Sequence, residues 1–288
     1  MTMTRVALHR SPACRSLQIL GLLCLAVLQG CYGGKQPMVG LMTDLGWQDT
    51  GVAQIKGIIL SANPKVEIVD LNHSLPSGNL NESAYLVDKT ARYFPSGSIF
   101  LVLTDSMEKP ILLETTQGRF YLGPDNGIFT QAMEREGVER VLDLTPEAGP
   151  ADLPLREILA TAAAQLAHGT KAKHLGKPLR QVTRLKLSQA ARFGRKITGQ
   201  VMQIDHDGHV ISNITSKTFT ENPTGHLIRA ALDGKNVSIP LVRNFASGPD
   251  NRLFGFFNSE DELEFAYKGK PASDLMHLRS GATLSLTD

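Results

Sequence analysis

"MVGLMTDLGWQDTGVAQIKGIIL", residues 38–60, decides the fold. Its first six residues form an almost wholly apolar run, which suits a strand buried on both faces. From Val52 to Leu60 the apolar residues return at helical spacing, and Asp49 or Thr50 can cap that helix. Between the two runs stand Asp44, Gly46 and Asp49, just past the carboxyl end of the strand. Open α/β sheets hold their ligands at that end.

Outward from this stretch the same alternation continues. "VEIVDL" (66–71) and "SIFLVLT" (98–104) read as a second and third strand. The helix between them follows Asn79, a cap, and repeats Leu80, Ala84, Val87 and Ala91 along one face. Strand, helix, strand, helix, strand predicts parallel strands joined by right-handed crossovers. The fold class is therefore α/β, a doubly wound, mostly parallel sheet with helices on both faces. Further strands at "ILLETT" and "RFYLG", with helices near 127–136 and in 156–167, complete a domain over 35–175. Residues 176–196, basic and opening with Gly and Pro, read as a linker. Short alternating runs over 197–288, separated by turn residues, predict a small antiparallel barrel or sandwich.

The first 31 residues differ in kind. Arg5, His9, Arg10 and Arg15 precede the apolar run Leu17–Leu28, which has the length of a secretory h-region and is too short for a stable span. "LQGC" follows, and Gly30 before Cys31 resembles the lipobox of bacterial lipoproteins, with an ordinary cleaved signal or a short buried helix as alternatives. Cys14, Cys24 and Cys31 are the three cysteines, so a chain cut at Cys31 keeps no disulfide and no cysteine nucleophile. A lipidated Cys31 would hold the domain to a membrane without a spanning helix. Tyr32 resembles the outer-membrane sorting preference, so the expected location is the bacterial outer membrane, facing the periplasm. The net charge of +2, with both signs interspersed, excludes the electrostatic footprint of a nucleic-acid binder.

Carboxylates dominate the candidate chemistry. Asp44 is acceptor-only and can take two hydrogen bonds from a ribose diol, while Gly46 lets the backbone turn close to a ligand. Neither a GxGxxG nor a GxxxxGK[ST] motif is present, and an acidic pair would repel phosphate. The alternative is that Asp49 only caps the helix and Asp44 only ends the strand. Asp105 ends the third strand as Asp44 ends the first. "GPDNG" (123–127) can place Asp125 and Asn126 on a rim, and "IDHDGHVISN" opens the second domain; each also fits a simple turn. His73 reads as a rim residue, a base, or neither. No histidine pair has HExxH spacing, so no metal is assigned.

Taken in order, "TDLGWQDTGVAQIKGIILSANPKVEIVDLNHSLPSGN", "ARYFPSGSIFLVLTD", "YLGPDNGIFTQAM" and "GQVMQIDHDGHVISNIT" resemble the S-adenosylmethionine hydroxide adenosyltransferase family, which includes fluorinating and chlorinating enzymes. The resemblance implies an α/β domain and a C-terminal β-barrel, usually in a homotrimer, with substrate held between one subunit's first domain and a neighbour's second. It implies in-line attack on the ribose C5′ of S-adenosylmethionine, the substrate, with no further cofactor. Asp44 matches the aspartate on the ribose hydroxyls, Asp49 one near the methionine end, and Asp205 one near the methionine amino group. Asn126 falls on the substrate rim. Asp105 matches the first member of an Asp, Arg, His trio that orients water in the hydrolytic branch, where the halogenating branch differs.

The chain also departs from that pattern. "DSMEKPI" replaces the glycine-containing loop with its arginines, leaving Lys109 as a stand-in cation without the planar fork of arginine. "LPLRE" (153–157) puts Pro154 at the histidine position. "DHDGH" (205–209) puts Asp207 at an aromatic position and His209 at that of an adenine-contacting asparagine. The resemblance thus implies hydrolysis of S-adenosylmethionine to adenosine and methionine. The alternatives are a catalytically degenerate envelope lipoprotein that binds a nucleoside-like ligand, or an assembly role.

Overall fold

The computed structural model describes residues 37–147, 153–219, 223–232 and 235–287, of which those from Met38 onward belong to one contact unit. The signal-like segment and Cys31 lie outside the described residues. Among the described residues no helix is long and apolar enough to cross a membrane.

In chain order the first half runs β1 (Met38–Thr43), α1 (Thr50–Ala62), β2 (Glu67–Asn72), α2 (Leu80–Ala91), β3 (Ile99–Leu103), β4 (Pro110–Thr115), β5 (Phe120–Pro124), α3 (Thr130–Glu136), β6 (Val138–Asp143), α4 (Leu155–Ala167) and β7 (Lys177–Pro178). Seven strands form one sheet in the order β2-β1-β3-β5-β4-β6-β7. β2, β1, β3 and β5 pair in parallel, whereas β4, β6 and β7 add an antiparallel flank. β6, "VERVLD", was not expected from the sequence.

Strand periodicity sorts the core into two layers. Ile99, Leu101 and Leu103 of β3 join Ile55 and Ile59 of α1 and the alanine-rich face of α4. Phe100 and Val102 point the other way, into a layer with Ala84 and Val87 of α2 and Met133 of α3. Helices thus cover both faces. Because α1 carries the chain from β1 to β2 over one face and α2 carries it from β2 to β3 over the other, the winding reverses between β1 and β3.

The second half runs β8 (Ala191–Phe193), β9 (Lys196–Ile204), β10 (Val210–Thr215), β11 (Leu227–Leu232), β12 (Lys235–Pro240), β13 (Phe254–Phe257), β14 (Glu262–Ala266), α5 (Ala272–Met276) and β15 (Thr283–Thr287). Its antiparallel order is β12-β11-β15-β9-β10-β14-β13, and a bridge between Leu241 and Gly255 nearly closes it into a barrel. Ile197, Val201, Val210, Phe265 and Leu286 fill the interior. The barrel is clipped to α2 by polar contacts. The Tyr85 hydroxyl donates to Glu262 at 2.9 Å, Lys89 Nζ to Glu262 at 2.8 Å, and the Tyr93 hydroxyl to Glu260 at 2.8 Å. Burial and then the Glu262 carboxylate push the Tyr85 phenol far above its usual range, so it stays a donor. Within 176–196, β7 pairs with β6, and the backbone N–H groups of Thr183 and Leu185 donate to Asp125 and Thr130.

Candidate active site

β1 ends at Thr43, and the chain must then turn sharply to enter α1. Gly46 takes a φ of +75°, which only glycine adopts freely, and its N–H donates to the His73 carbonyl at 2.6 Å. Asp49 then caps α1, its Oδ1 accepting the Gly51 N–H at 2.5 Å. The neighbouring β3 ends in step with β1, Thr43 lying opposite Leu103. Asp44 Oδ2 accepts the Asp105 N–H at 2.7 Å, so one carboxylate oxygen laces the two strand ends together.

Between these strand ends and the start of α4 lies a cleft of about 310 Å³. Asp44, Asp49, Thr104, Asp105, Pro154 and Arg156 contribute to its wall, with Leu45 and Leu103 as apolar patches. It stands at the reversal of winding between β1 and β3, where doubly wound sheets bind ligands. Its volume is at the lower end of the ~300–1,000 Å³ common for small-molecule sites. Two other hollows, of about 490 and 770 Å³, are larger. The first lies between α2 and the barrel, and the acids and bases around it, such as Asp88, Arg92 and Glu260, pair with one another. The second is a groove along α1 and α4 that meets the cleft at Arg156.

The structure brings Asp44, Asp49 and Asp105 together. Asn126 stands beside them, its Nδ2 donating to Thr104 Oγ1 at 3.3 Å. Lys109 does not join them: its ammonium lies 3.4 Å from Asp143 Oδ2 at the β4–β6 edge and does not line the cleft. The tether is physical, because β4 runs antiparallel to β6 and puts Lys109 near the end of β6. His73 is fully buried, with Nδ1 at 3.0 Å from Thr43 Oγ1 and Nε2 at 3.0 Å from Asp70 Oδ1. It braces the loop from below and is no rim base.

Arg156 is the cleft residue that sequence reasoning missed. It is the one cation in the wall, facing three aspartates, and makes no ion pair among the described residues. "LPLRE" held the signal, an arginine two residues after Pro154 at the start of a helix. A positive group there gives a planar fork for orienting an anion or water. Pro154 also lines the cleft, so the position the resemblance gives to histidine offers no exchangeable proton.

Asp205 and His209 do not line the cleft of their own chain. They lie at the β9–β10 turn, where Asp205 Oδ1 accepts the N–H groups of Asp207 and His209 at 3.0 and 2.8 Å. His209 Nδ1 is 2.8 Å from Glu264 Oε1. The bond to Glu264 raises the imidazole above its usual pKa against the opposing effect of burial. Glu264 is a second residue that sequence reasoning missed, because 55 positions separate it from His209 and only the pairing of β10 with β14 joins them.

A doubly wound sheet with a carboxylate-lined switch-point cleft, joined to a small β-barrel, is a ligand-binding α/β architecture. Comparison with known proteins makes it specific. Residues 39–176 match the SAM hydroxide adenosyltransferase N-terminal domain and residues 199–285 the C-terminal domain, and the chain belongs to that family. Among relatives, a protein named fluorinase from Actinoplanes sp. (strain N902-109) is 27% identical over 87% of this chain and 97% of its own length. A protein named (R)-S-adenosyl-L-methionine hydrolase from Thermus thermophilus is 28% identical over 86% of this chain and 98% of its own. A solved structure of a conserved hypothetical protein, also from Thermus thermophilus, superimposes with a TM-score of 0.69 at 27% identity, over 87% of this chain and 99% of that one. An uncharacterized conserved protein from Thermotoga maritima, 24% identical over 87% of this chain and all of its own, shares the fold with a TM-score of 0.80.

Proposed function

We propose that this protein hydrolyses S-adenosylmethionine, water displacing methionine from the ribose C5′ to give adenosine. The observation that carries the reading is the wall of the switch-point cleft, three aspartates and one arginine. A sulfonium is already a good leaving group and becomes neutral as its bond breaks, so the site need only position the reactants and exclude bulk water. Asp44 has an oxygen left for the ribose diol. Asp49 and Asp105 set negative charge near a cationic substrate, and Asp105 with Arg156 can hold a water on the far side of C5′. Asp105, where the halogenating branch differs, disfavours a halide nucleophile, since like charges repel in a confined cleft.

A second reading has its own observation. With Pro154 in the wall, no histidine there can take the proton of attacking water, which favours a binding protein for a nucleoside-like ligand with little turnover. In either case Asp205 and His209 would serve this cleft only from the barrel of a neighbouring copy.

Incubating the chain without its first 31 residues with S-adenosylmethionine and assaying adenosine, with Asp105→Ala as control, decides between them. Adenosine above the control supports hydrolysis. Binding of adenosine or S-adenosylmethionine by calorimetry without adenosine release supports the second reading, and neither result leaves the assembly role.

A further inference from the structure

We propose that Trp47, on the turn between Asp44 and Asp49, receives the sulfonium of S-adenosylmethionine against its indole, and so separates that substrate from a neutral thioether of nearly the same shape. The identity of the ligand rests on the hydrolase reading; what is added is how its charge is recognised. A sulfonium is a cation with no N–H or O–H, so it cannot donate a hydrogen bond to Asp44, Asp49 or Asp105. It shares that property with quaternary ammonium ions, which proteins receive on aromatic faces, tryptophan best of all. Among the described residues, those that line the cleft include no aromatic ring.

Trp47 is the chain's one tryptophan, and the aspartates at the two ends of its turn both line the cleft. Gly46, at a φ of +75°, turns the backbone immediately before it, and the Gly46 N–H donates to the His73 carbonyl at 2.6 Å. The indole then meets the His73 ring at 88°, with the centroids 4.6 Å apart. That imidazole is itself fully buried and bonded through Nδ1 to Thr43 and through Nε2 to Asp70, so the indole rests on a fixed base. Yet Trp47 is 68% exposed. One contact pins the ring while most of its surface stays open, which makes a preorganised platform beside the carboxylates.

The course of the reaction agrees with this role. Three aspartates attract any cation, whereas the quadrupole of an indole adds its attraction without needing a hydrogen bond. The sulfonium charge fades as the bond to C5′ breaks, so contact with Trp47 stabilises bound substrate more than the transition state. Its removal should therefore raise KM without lowering kcat. Product release gains as well, since the sulfur of methionine leaves neutral.

A lone tryptophan reports on itself, so the first readout needs no variant. In the full chain its fluorescence should change saturably as S-adenosylmethionine is added, and calorimetry should show that ligand bound more tightly than S-adenosylhomocysteine, its neutral thioether. Trp47→Ala should narrow the ratio of the two affinities about 3- to 30-fold and raise KM for adenosine release by a similar factor with kcat no lower, and Trp47→Phe should recover part. Unaltered fluorescence at saturating S-adenosylmethionine, or a ratio that Trp47→Ala leaves unchanged, overturns the assignment even where adenosine is released. Fluorescence that follows chain concentration and ignores ligand overturns it too, and assigns the indole to a contact between copies. Binding with the fluorescence change but no adenosine removes the hydrolase reading and supports the role of Trp47. No binding of S-adenosylmethionine overturns both.

Discussion

The carboxylate of Asp44 accepts the backbone N–H of Asp105 at 2.7 Å, so the residue expected to meet the ribose also fixes the loop that carries the next aspartate. Its two oxygens have separable duties. Asp44→Asn keeps an amide oxygen for that N–H but loses the charge; its stability to urea should stay within about 0.5 kcal/mol of the parent while nucleoside binding weakens. Asp44→Ala loses the lace as well and should cost about 1 kcal/mol. Equal losses of stability in both variants would show that charge, not the hydrogen bond, holds the loop.

Arg156 faces the three aspartates without an ion pair among the described residues. If it orients water, Arg156→Ala should lower kcat about 100- to 1,000-fold with a small change in KM, as removal of one preorganised donor does elsewhere. Arg156→Lys, a point charge without the fork, should recover only part. A rise in KM with kcat intact would instead assign Arg156 to holding substrate.

His73 makes the opposite prediction. It is fully buried and bonded on both ring nitrogens, so His73→Ala would strand Thr43 Oγ1 and one oxygen of Asp70. A loss of about 2–4 kcal/mol in chemical denaturation is expected. Burial pushes the Asp70 carboxyl up, but hydrogen bonds from Lys56 and His73 outweigh it and hold the group below its usual range. A carboxyl depressed in the folded state stabilises above its unfolded pKa and loses that contribution as pH falls through the folded one. The parent should therefore destabilise more steeply than Asp70→Asn as pH drops below about 4. Parallel curves would remove Asp70 from the acid limb.

Residues 38–60 announced the strand, the capped helix and the site between them because local periodicity and capping are written in neighbouring residues. β6 was not legible. "VERVLD" buries only Val141 and Leu142, both near its end, so neither alternation nor a continuous apolar run marks it. Arg156 and Glu264 were missed for a different reason. Each reaches its partners through tertiary pairing, α4 against the ends of β1 and β3 and β14 against β10, and nothing in adjacent sequence records such a meeting. Lys109 was drawn toward catalysis by its place in the loop after Asp105, whereas the register of β4 on β6 delivers it to Asp143.

That last placement is testable. Burial raises the Asp143 carboxyl, yet hydrogen bonds from Thr145 and Lys109 hold it below the usual range. Half of the Lys109 side chain is exposed, so Lys109→Ala should cost no more than about 1 kcal/mol and leave kcat and KM for adenosine release unchanged. A fall in kcat would return Lys109 to the reaction.

Lipidation of Cys31 would decide where the chemistry can matter, because S-adenosylmethionine is a charged molecule that does not diffuse through a bilayer unaided. Cys31 follows Gly30 at the end of an apolar run, and lipid chains on it would anchor the domain by burying methylene groups worth about 0.8 kcal/mol each. Cys31→Ser should move the protein from the membrane pellet to the soluble fraction, and globomycin should cause the unprocessed parent to accumulate. Retention of the serine variant in membranes, with unchanged mobility under globomycin, would instead assign the anchor to the uncleaved apolar run Leu17–Leu28.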